Sequence, residues 1–342
     1  MPNILFRADA EESIGTGDLL SLIYLSREFL KRSWGCFFAI RDYPLALRII
    51  AKHKLRNTFL IPHRASIKQE IKLIGKIIKE KSIDCLCLEI TKTSLLEYVS
   101  LGKPVPVKAC INFDGEITDD FEVVINWGIN SSDQLYAAYR DRVTKFILGF
   151  QNAILPDYFD WEKIARRKYK DNIDRILITM GGVDEFNLTK KIVEFLRGEL
   201  KGREILIITG AGYRFRDDLS KFMKHNFKYY KIKDNVYSLF NDYLWSDLAF
   251  SAGGLTSSEL VAARTPALFI AAYEHQIRRC EYFAKNKWAY YLGYRTNINE
   301  ESIRGGLKSA IESVDILRNK LSAADFQGGS EKIFETINSY FQ

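Results

Sequence analysis

The chain predicts an α/β fold made of two doubly wound domains in tandem. Two observations carry this expectation. Short, continuously apolar strands alternate with amphipathic helices in both halves of the 342 residues, the pattern of parallel sheets covered on both faces. Three glycine turns also stand between a strand and a helix, at Gly15–Gly17, Gly181–Gly182 and Gly253–Gly254. The length suits two domains, each able to bury its own core.

In the first half, strands are expected at Ile4–Arg7, Cys36–Ile40, Thr58–Ile61, Cys85–Glu89, Val107–Ile111 and Val123–Ile125. The clearest helices are Leu19–Lys31 and Ile67–Lys81. The alternation breaks between Phe150 and Asp174, where a charged and aromatic stretch from Asp157 to Asp171 reads as a connection with one short helical piece. It resumes with strands at Ile176–Thr179, Ile205–Ile208, Lys228–Ile232, Leu248–Phe250 and Ala267–Ile270, and ends in a helix from Gly328 to Phe341. The expected division is 1–150 for the first domain, 151–173 for the connection, 174–327 for the second domain, and 328–342 for a helix packing back on the first. Tandem domains of this kind are expected to offer their ligand-binding strand ends to a shared cleft.

Composition narrows the function classes. Hydrophobic residues make up 47% of the chain, which excludes disorder and fibrous repeats. No apolar run is long enough for a membrane span, and the start shows no signal-peptide pattern, so a cytoplasmic protein is expected. The five cysteines fit buried reduced thiols better than disulfides or a metal pair at Cys85 and Cys87. A net charge of +7 is mild. Lys68, Lys72, Lys76 and Lys79 read as the solvated face of a helix whose other face holds Ile67, Ile71, Ile74 and Ile78. No basic-aromatic motif points to nucleic acid, and no metal-ligand spacing occurs.

The segment Ser251-Ala-Gly-Gly-Leu-Thr-Ser-Ser-Glu259 concentrates the chemistry. It leaves a strand and opens a helix expected from Ser257. Gly253 and Gly254 are expected to expose backbone N–H groups to an anion, helped by the helix dipole. Glu259, one turn into the helix, suits ribose hydroxyls better than phosphate. The set reads as a site for a nucleotide diphosphate. Ile14-Gly-Thr-Gly-Asp18 after the first strand and Met180-Gly-Gly-Val-Asp184 after Ile176–Thr179 repeat the strand–glycine–helix context.

Together, Arg7-x-Asp9 with Ile14-Gly-Thr-Gly, Met180-Gly-Gly-Val-Asp184, Ala252-Gly-Gly-Leu-Thr256 with Glu259, and Glu274-His-Gln276 resemble the PseG/SpsG-like proteins. That group comprises the UDP-sugar hydrolases of pseudaminic acid synthesis and the spore-coat polysaccharide biosynthesis proteins. It shares the GT-B fold, two Rossmann-like domains, with the peptidoglycan glycosyltransferase acting on lipid-linked muramyl-pentapeptide. The resemblance implies that the second domain binds a nucleotide sugar, with Gly253, Gly254 and Thr256 on phosphate and Glu259 on ribose. Glu274, His275 and Gln276 would lie toward the donor sugar or phosphate, and no divalent ion or other cofactor is implied. Substrate contacts are further expected from Gly15, Gly17, Gly181, Gly182 and Asp184, and from the strand-end carboxylates Asp9, Glu89 and Asp114. Asn126 is assigned to the acceptor side, and no role is assigned to His53, His63 or His225.

The chain departs from the hydrolases at one point. Their catalytic His after Gly-x-Gly is Asp18 here, and the Arg three residues on is Ser21. A carboxylate is a workable general base for a sugar hydroxyl, although Asp18 also suits the N-cap of a helix starting at Leu19. The first expectation is an inverting glycosyltransferase using a UDP-sugar in surface polysaccharide or glycoconjugate synthesis, with Asp18 as base and a sugar or glycoconjugate as acceptor. The second is a hydrolase releasing UDP and free sugar, and the third a non-catalytic nucleotide-sugar-binding homologue.

Overall fold

The first sheet has seven parallel strands in the order β3-β2-β1-β4-β5-β6-β7, and the second has six in the order β10-β9-β8-β11-β12-β13. The computed structural model describes residues 1–11, 15–89, 105–113, 121–128, 136–137 and 144–342. The chain divides into a unit of Met1–Asp157 with Phe326–Gln342 and a unit of Tyr158–Asp325.

Unit 1 runs β1 (Asn3–Ala8), α1 (Gly17–Lys31), β2 (Gly35–Arg41), α2 (Pro44–His53), β3 (Thr58–Ile61), α3 (Ile67–Glu80), β4 (Cys85–Glu89), β5 (Val107–Ile111), β6 (Val123–Asn126) and β7 (Lys145–Leu148). The central strands are buried along their length, as sheets covered on both faces require. A capping box of Ser66 and Gln69 starts α3. Its four lysines are solvent-exposed and Ile74, Ile77 and Ile78 are buried, so they form a solvated helix face. Strand β7 was not expected. Its four residues begin with an exposed lysine and only Ile147 is fully buried, so no apolar run marks it.

Unit 2 runs α4 (Trp161–Ala165), β8 (Arg175–Thr179), α5 (Leu188–Phe195), β9 (Glu204–Thr209), α6 (Arg216–Asn226), β10 (Tyr230–Asp234), α7 (Phe240–Trp245), β11 (Leu248–Ala252), α8 (Leu255–Ala262), β12 (Ala267–Ala271), α9 (Glu274–Lys285), β13 (Tyr290–Tyr294), α10 (Glu300–Glu312) and α11 (Val314–Ala323). Strand β10 sits two residues later than expected, in register with β9 from Tyr230 opposite Ile205. Strand β13 was missed because Tyr-Tyr-Leu-Gly-Tyr holds no buried residue and contains Gly293 at φ 122° beside a register shift with β12. Buried residues of β8, β9, β11 and β12 form the core with α5, α6 and α10.

The stretch expected to connect the domains is not a free linker. Phe159 packs on Phe240 at 5.2 Å between ring centroids. The Arg167 guanidinium donates to the Ala263 and Ser246 carbonyls and the Thr265 hydroxyl at 3.0, 2.6 and 2.6 Å, and the Tyr169 hydroxyl to the Arg264 carbonyl at 2.6 Å. These bonds tie the segment after Asp157 to unit 2. Before Asp157, a 3-10 turn at Phe150–Asn152 belongs to unit 1. The last helix, α12 (Gly329–Asn338), packs on α1 and this turn. A Cβ on Gly329 would stand 2.4 Å from the Ala153 carbonyl oxygen, which is why glycine opens that helix.

Candidate functional site

In unit 2 the strand order reverses between β8 and β11. Such a switch point opens a crevice at the carboxyl ends of the strands, where doubly wound folds bind ligands. The turns Met180–Gly182 and Gly253–Gly254 both leave the sheet there.

Helix α8 starts at Leu255, two residues before its expected start, with Gly254 as an extended N-cap (φ −82°, ψ −156°) and no side-chain cap. Thr256 therefore lies inside the first turn. First-turn amides have no acceptor within their own helix. Ser257 turns its amide and hydroxyl back to the Gly254 carbonyl, at 3.1 and 2.6 Å, while the amides of Leu255 and Thr256 stand at the helix end. Gly253 does not present its amide to an anion, because that N–H donates to the Ile270 carbonyl at 3.1 Å. Its lack of a side chain serves packing: a Cβ there would be 2.4 Å from Cys280 Sγ and 3.0 Å from Gln276 Cβ. Glycine thus lets α9 approach β11.

That approach delivers Gln276. Its Oε1 accepts the Ala272 amide at 3.0 Å, which orients the side chain and places Nε2 at 3.6 Å from where a Gly254 Cβ would stand. Two backbone amides and one carboxamide NH2 therefore gather at a helix N-terminus, a donor set suited to an anion. Glu259, on the next turn, is buried. Its Oε2 accepts the Tyr243 hydroxyl at 2.7 Å and it is also hydrogen-bonded to Tyr158. Burial pushes its carboxyl up to about 7 against these two bonds.

Asp184, at φ 45°, accepts the Leu188 and Thr189 amides at 2.8 and 2.9 Å and so caps α5, with burial raising its pKa. Gly181 has φ 87° with open space around it, and the Gly182 carbonyl accepts the Gly212 amide at 2.9 Å. Glu274 is exposed in the first turn of α9, where a carboxylate suits the dipole. His275 stacks on Tyr273 at 5.7 Å, and desolvation, then Arg279, lower its pKa. Sequence reasoning missed Tyr243, Tyr158 and a fourth glycine turn, Gly210-Ala-Gly212, which directly follows β9. A Cβ on Gly210 would fall 2.3 Å from the Gly182 carbonyl oxygen. Its signal was legible, since Gly-x-Gly follows Ile-Ile-Thr there.

In unit 1 the order reverses between β1 and β4, where Ala8 pairs with Glu89. Helix α1 starts at Gly17, so Asp18 lies within its first turn and is not the N-cap; that position is Thr16. Gly15, at φ 89°, closes an isolated bridge with Glu11 and, like Gly17, has no atom within 4 Å of its missing Cβ. Ser21 is buried and hydrogen-bonds both the Asp18 carbonyl, at 2.9 Å, and the buried Glu89 carboxylate. The Ser21 hydroxyl thus lies between the Asp18 backbone carbonyl and the Glu89 carboxylate.

Asp9 stands elsewhere. Arg7 holds it through Nη1 at 2.6 Å and Nη2 at 2.7 Å, and the Arg41 amide donates to it at 3.0 Å. Arg7 Nε meets buried Glu70 at 2.7 Å, and Arg41 pairs with the same carboxylate. Asp9 is thus part of a structural ion network. Asn126 is also engaged, donating to Tyr136 at 2.8 Å and accepting the Gly128 amide at 2.9 Å. Ile14 and Asp114 lie outside the described residues. His63 has a partner that sequence reasoning did not find, Asp42, at 2.9 Å from its Nδ1. His53 is buried, which lowers it to about 4, and His225 meets the Lys221 carbonyl. Among the described residues no His, Cys, Asp and Glu group has a metal-binding arrangement.

No protein-family model matches the chain. An uncharacterized protein of Methanocaldococcus jannaschii is 30% identical over 168 residues, 46% of this chain and 33% of its own length. The match thus spans about a third of that relative. Many solved structures match across the chain, two of them MurG and MnaA. MurG of Acinetobacter baumannii superposes with a TM-score of 0.70 at 12% identity, covering 99% of this chain and 100% of its own. The MnaA–UDP co-structure from S. aureus superposes at 0.66 with 11% identity, covering 100% and 97%. The fold is α/β of the GT-B type, with two parallel-sheet domains. Among the described residues no helix is long and apolar enough to cross a membrane.

Proposed function

We propose that the protein is an inverting glycosyltransferase that takes a UDP-sugar and acts in surface polysaccharide or glycoconjugate synthesis. One observation carries the reading. The uncapped N-terminus of α8, the oriented Gln276 carboxamide and Glu259 on the next turn meet at the switch point of unit 2. Preorganised donors of this kind stabilise the diphosphate that leaves as the glycosidic bond breaks. UDP in the co-structure of the S. aureus protein of similar fold supports the choice of nucleotide, and the resemblance to the PseG/SpsG-like proteins supports the polysaccharide context. Asp18 is assigned the acceptor's proton, and its half-buried place in the first turn of α1, directly after the glycine turn, supports a positioned base.

A second reading, hydrolysis of a UDP-sugar, is favoured by the same motifs, with water as acceptor and Asp18 in place of the family His. Titration calorimetry with UDP tests the binding site. Gln276→Ala is expected to weaken UDP about tenfold, the value of one lost hydrogen bond to a charged group, and to lower the melting temperature modestly, because the buried Ala272 amide loses its acceptor. Following UDP and free sugar from UDP-sugars then separates the reactions. Sugar release without an acceptor points to hydrolysis, and acceptor-dependent UDP release to transfer. Asp18→Asn is expected to abolish either turnover while leaving UDP affinity intact. UDP binding with no turnover under any condition would leave a silent binding protein.

A further inference from the structure

We propose that Glu259 meets the ribose as a neutral carboxylic acid, so that capturing the nucleotide takes up a proton at this side chain. The inference rests on the nucleotide-binding reading above and adds the protonation state to it.

Glu259 is 4% exposed. The groups that face it are phenols: Tyr243 from α7 donates to Oε2 at 2.7 Å, and Tyr158, ahead of α4, supplies a second hydrogen bond. Among the described residues, burial and these two phenols set its titration. Arg167, at the far end of α8, is hydrogen-bonded to Ala263, Thr265 and Ser246 instead. Within its own helix, only the N-terminal dipole favours the anion. Burial leaves the carboxyl titrating at about 7, midway between its two forms in neutral solution.

A bound diphosphate would tip that balance. Leu255 and Thr256, whose amides would hold it, precede Glu259 by about one helical turn, a rise of roughly 4.5–6 Å along the axis. Negative charge at that distance disfavours a second negative charge and raises the carboxyl further. The neutral acid can also bind the ligand. A carboxylate only accepts, whereas a carboxylic acid donates from one oxygen and accepts at the other. Vicinal ribose hydroxyls can answer both roles at once. The proton comes from solvent and no covalent bond changes.

The sign follows from linkage. The binding-competent form is the protonated one, so affinity is full below the carboxyl's titration and is lost as pH rises through it, by up to about tenfold per pH unit. UDP calorimetry on the full chain between about pH 6 and 9, in buffers of different ionisation enthalpy, tests this. The wild type is expected to take up more protons than Glu259→Gln. The variant, a permanent neutral mimic, keeps the low-pH affinity and loses this part of the pH dependence. Titration of the UDP phosphate is common to both proteins and cancels in their difference. A Glu259→Gln protein that binds UDP tenfold or more weaker than wild type at about pH 6, or that exchanges the same number of protons, would overturn the inference. Tyr243→Phe supplies an independent check. Losing a donor that favours the anion moves the break in the affinity profile to higher pH, and an unmoved break also overturns it. Absence of UDP binding to the wild type would remove the nucleotide reading together with this one, whereas binding without proton linkage removes only this one.

Discussion

The two sheets reverse their strand order in the same way, yet their carboxyl edges are chemically opposite. In unit 2 the edge gathers donors: the first-turn amides of α8, the Gln276 carboxamide, and one carboxyl that burial drives toward neutrality. In unit 1 the edge gathers carboxylates. Asp9 is locked by Arg7 and Arg41, and Glu89 is held by Ser21 beneath the turn that carries Asp18. A glycine turn between strand and helix is therefore not by itself an anion site. Its chemistry depends on where its amides and neighbouring side chains are directed. Gly253 shows this within the anion-suited edge, since its amide pairs with β12 and its missing Cβ makes room for α9.

The largest expected effect is at the locked edge. Arg7 is 2% exposed and answers both Asp9 and Glu70. Arg7→Ala leaves Glu70, itself 1% exposed, with only part of its countercharge. Removing one partner of a buried pair typically costs about 3–5 kcal/mol. Urea unfolding should register a loss of that order, while UDP affinity of the folded protein stays at the wild-type value. A loss below about 1 kcal/mol would mean the network behaves as a surface cluster, and Asp9 would return to the candidate ligands.

Next in size is Gly210→Ala, which acts on the donor-rich edge through its backbone. The added Cβ would meet Gly182 at 2.3 Å from its oxygen and 2.4 Å from its Cα, so the turns after β8 and β9 must separate. Overpacking of this kind costs about 1–3 kcal/mol. The sharper readout is UDP affinity. A parallel drop would include the Gly181–Gly182 turn in the binding set, and unchanged affinity would leave it as packing alone.

What was legible in the sequence follows from how local each cause is. Buried strands announce themselves as apolar runs, so β1, β4, β8, β11 and β12 were readable. Strands β7 and β13 were not, because edge positions need no such run. The Gly253–Gly254 turn and Gln276 were readable as motifs, but the division of labour between the two glycines depends on Ile270 and Cys280, which only the fold brings there. Glu70 sits in a lysine-rich helix and looks solvated. Its burial is set by Arg7, 63 residues earlier. Tyr158 looked like part of a linker, although it reaches Glu259 about a hundred residues on. Asp18 was legible from its place after Gly-x-Gly, but helix α1 starting at Gly17 puts it in the first turn and not at the cap.

The smallest effect tests whether Asp184 belongs with structure or with ligand. Its two oxygens hold the Leu188 and Thr189 amides at the start of α5. Asp184→Ala removes the cap and should cost about 1 kcal/mol, within the usual 0.5–2 range for capping residues. Asp184→Asn opposes two changes: it keeps an amide acceptor and also removes a charge that burial disfavours. Its net effect in urea unfolding is expected within about 0.5 kcal/mol of wild type at neutral pH. The pH dependence carries the sign. Because the folded-state pKa is raised, the ionised form weakens the wild type as pH rises through that range, and the asparagine variant lacks this slope. UDP affinity should not change in either variant. If alanine and asparagine instead weaken UDP equally at unchanged stability, the carboxylate faces the ligand, and the contrast between the two edges must be redrawn.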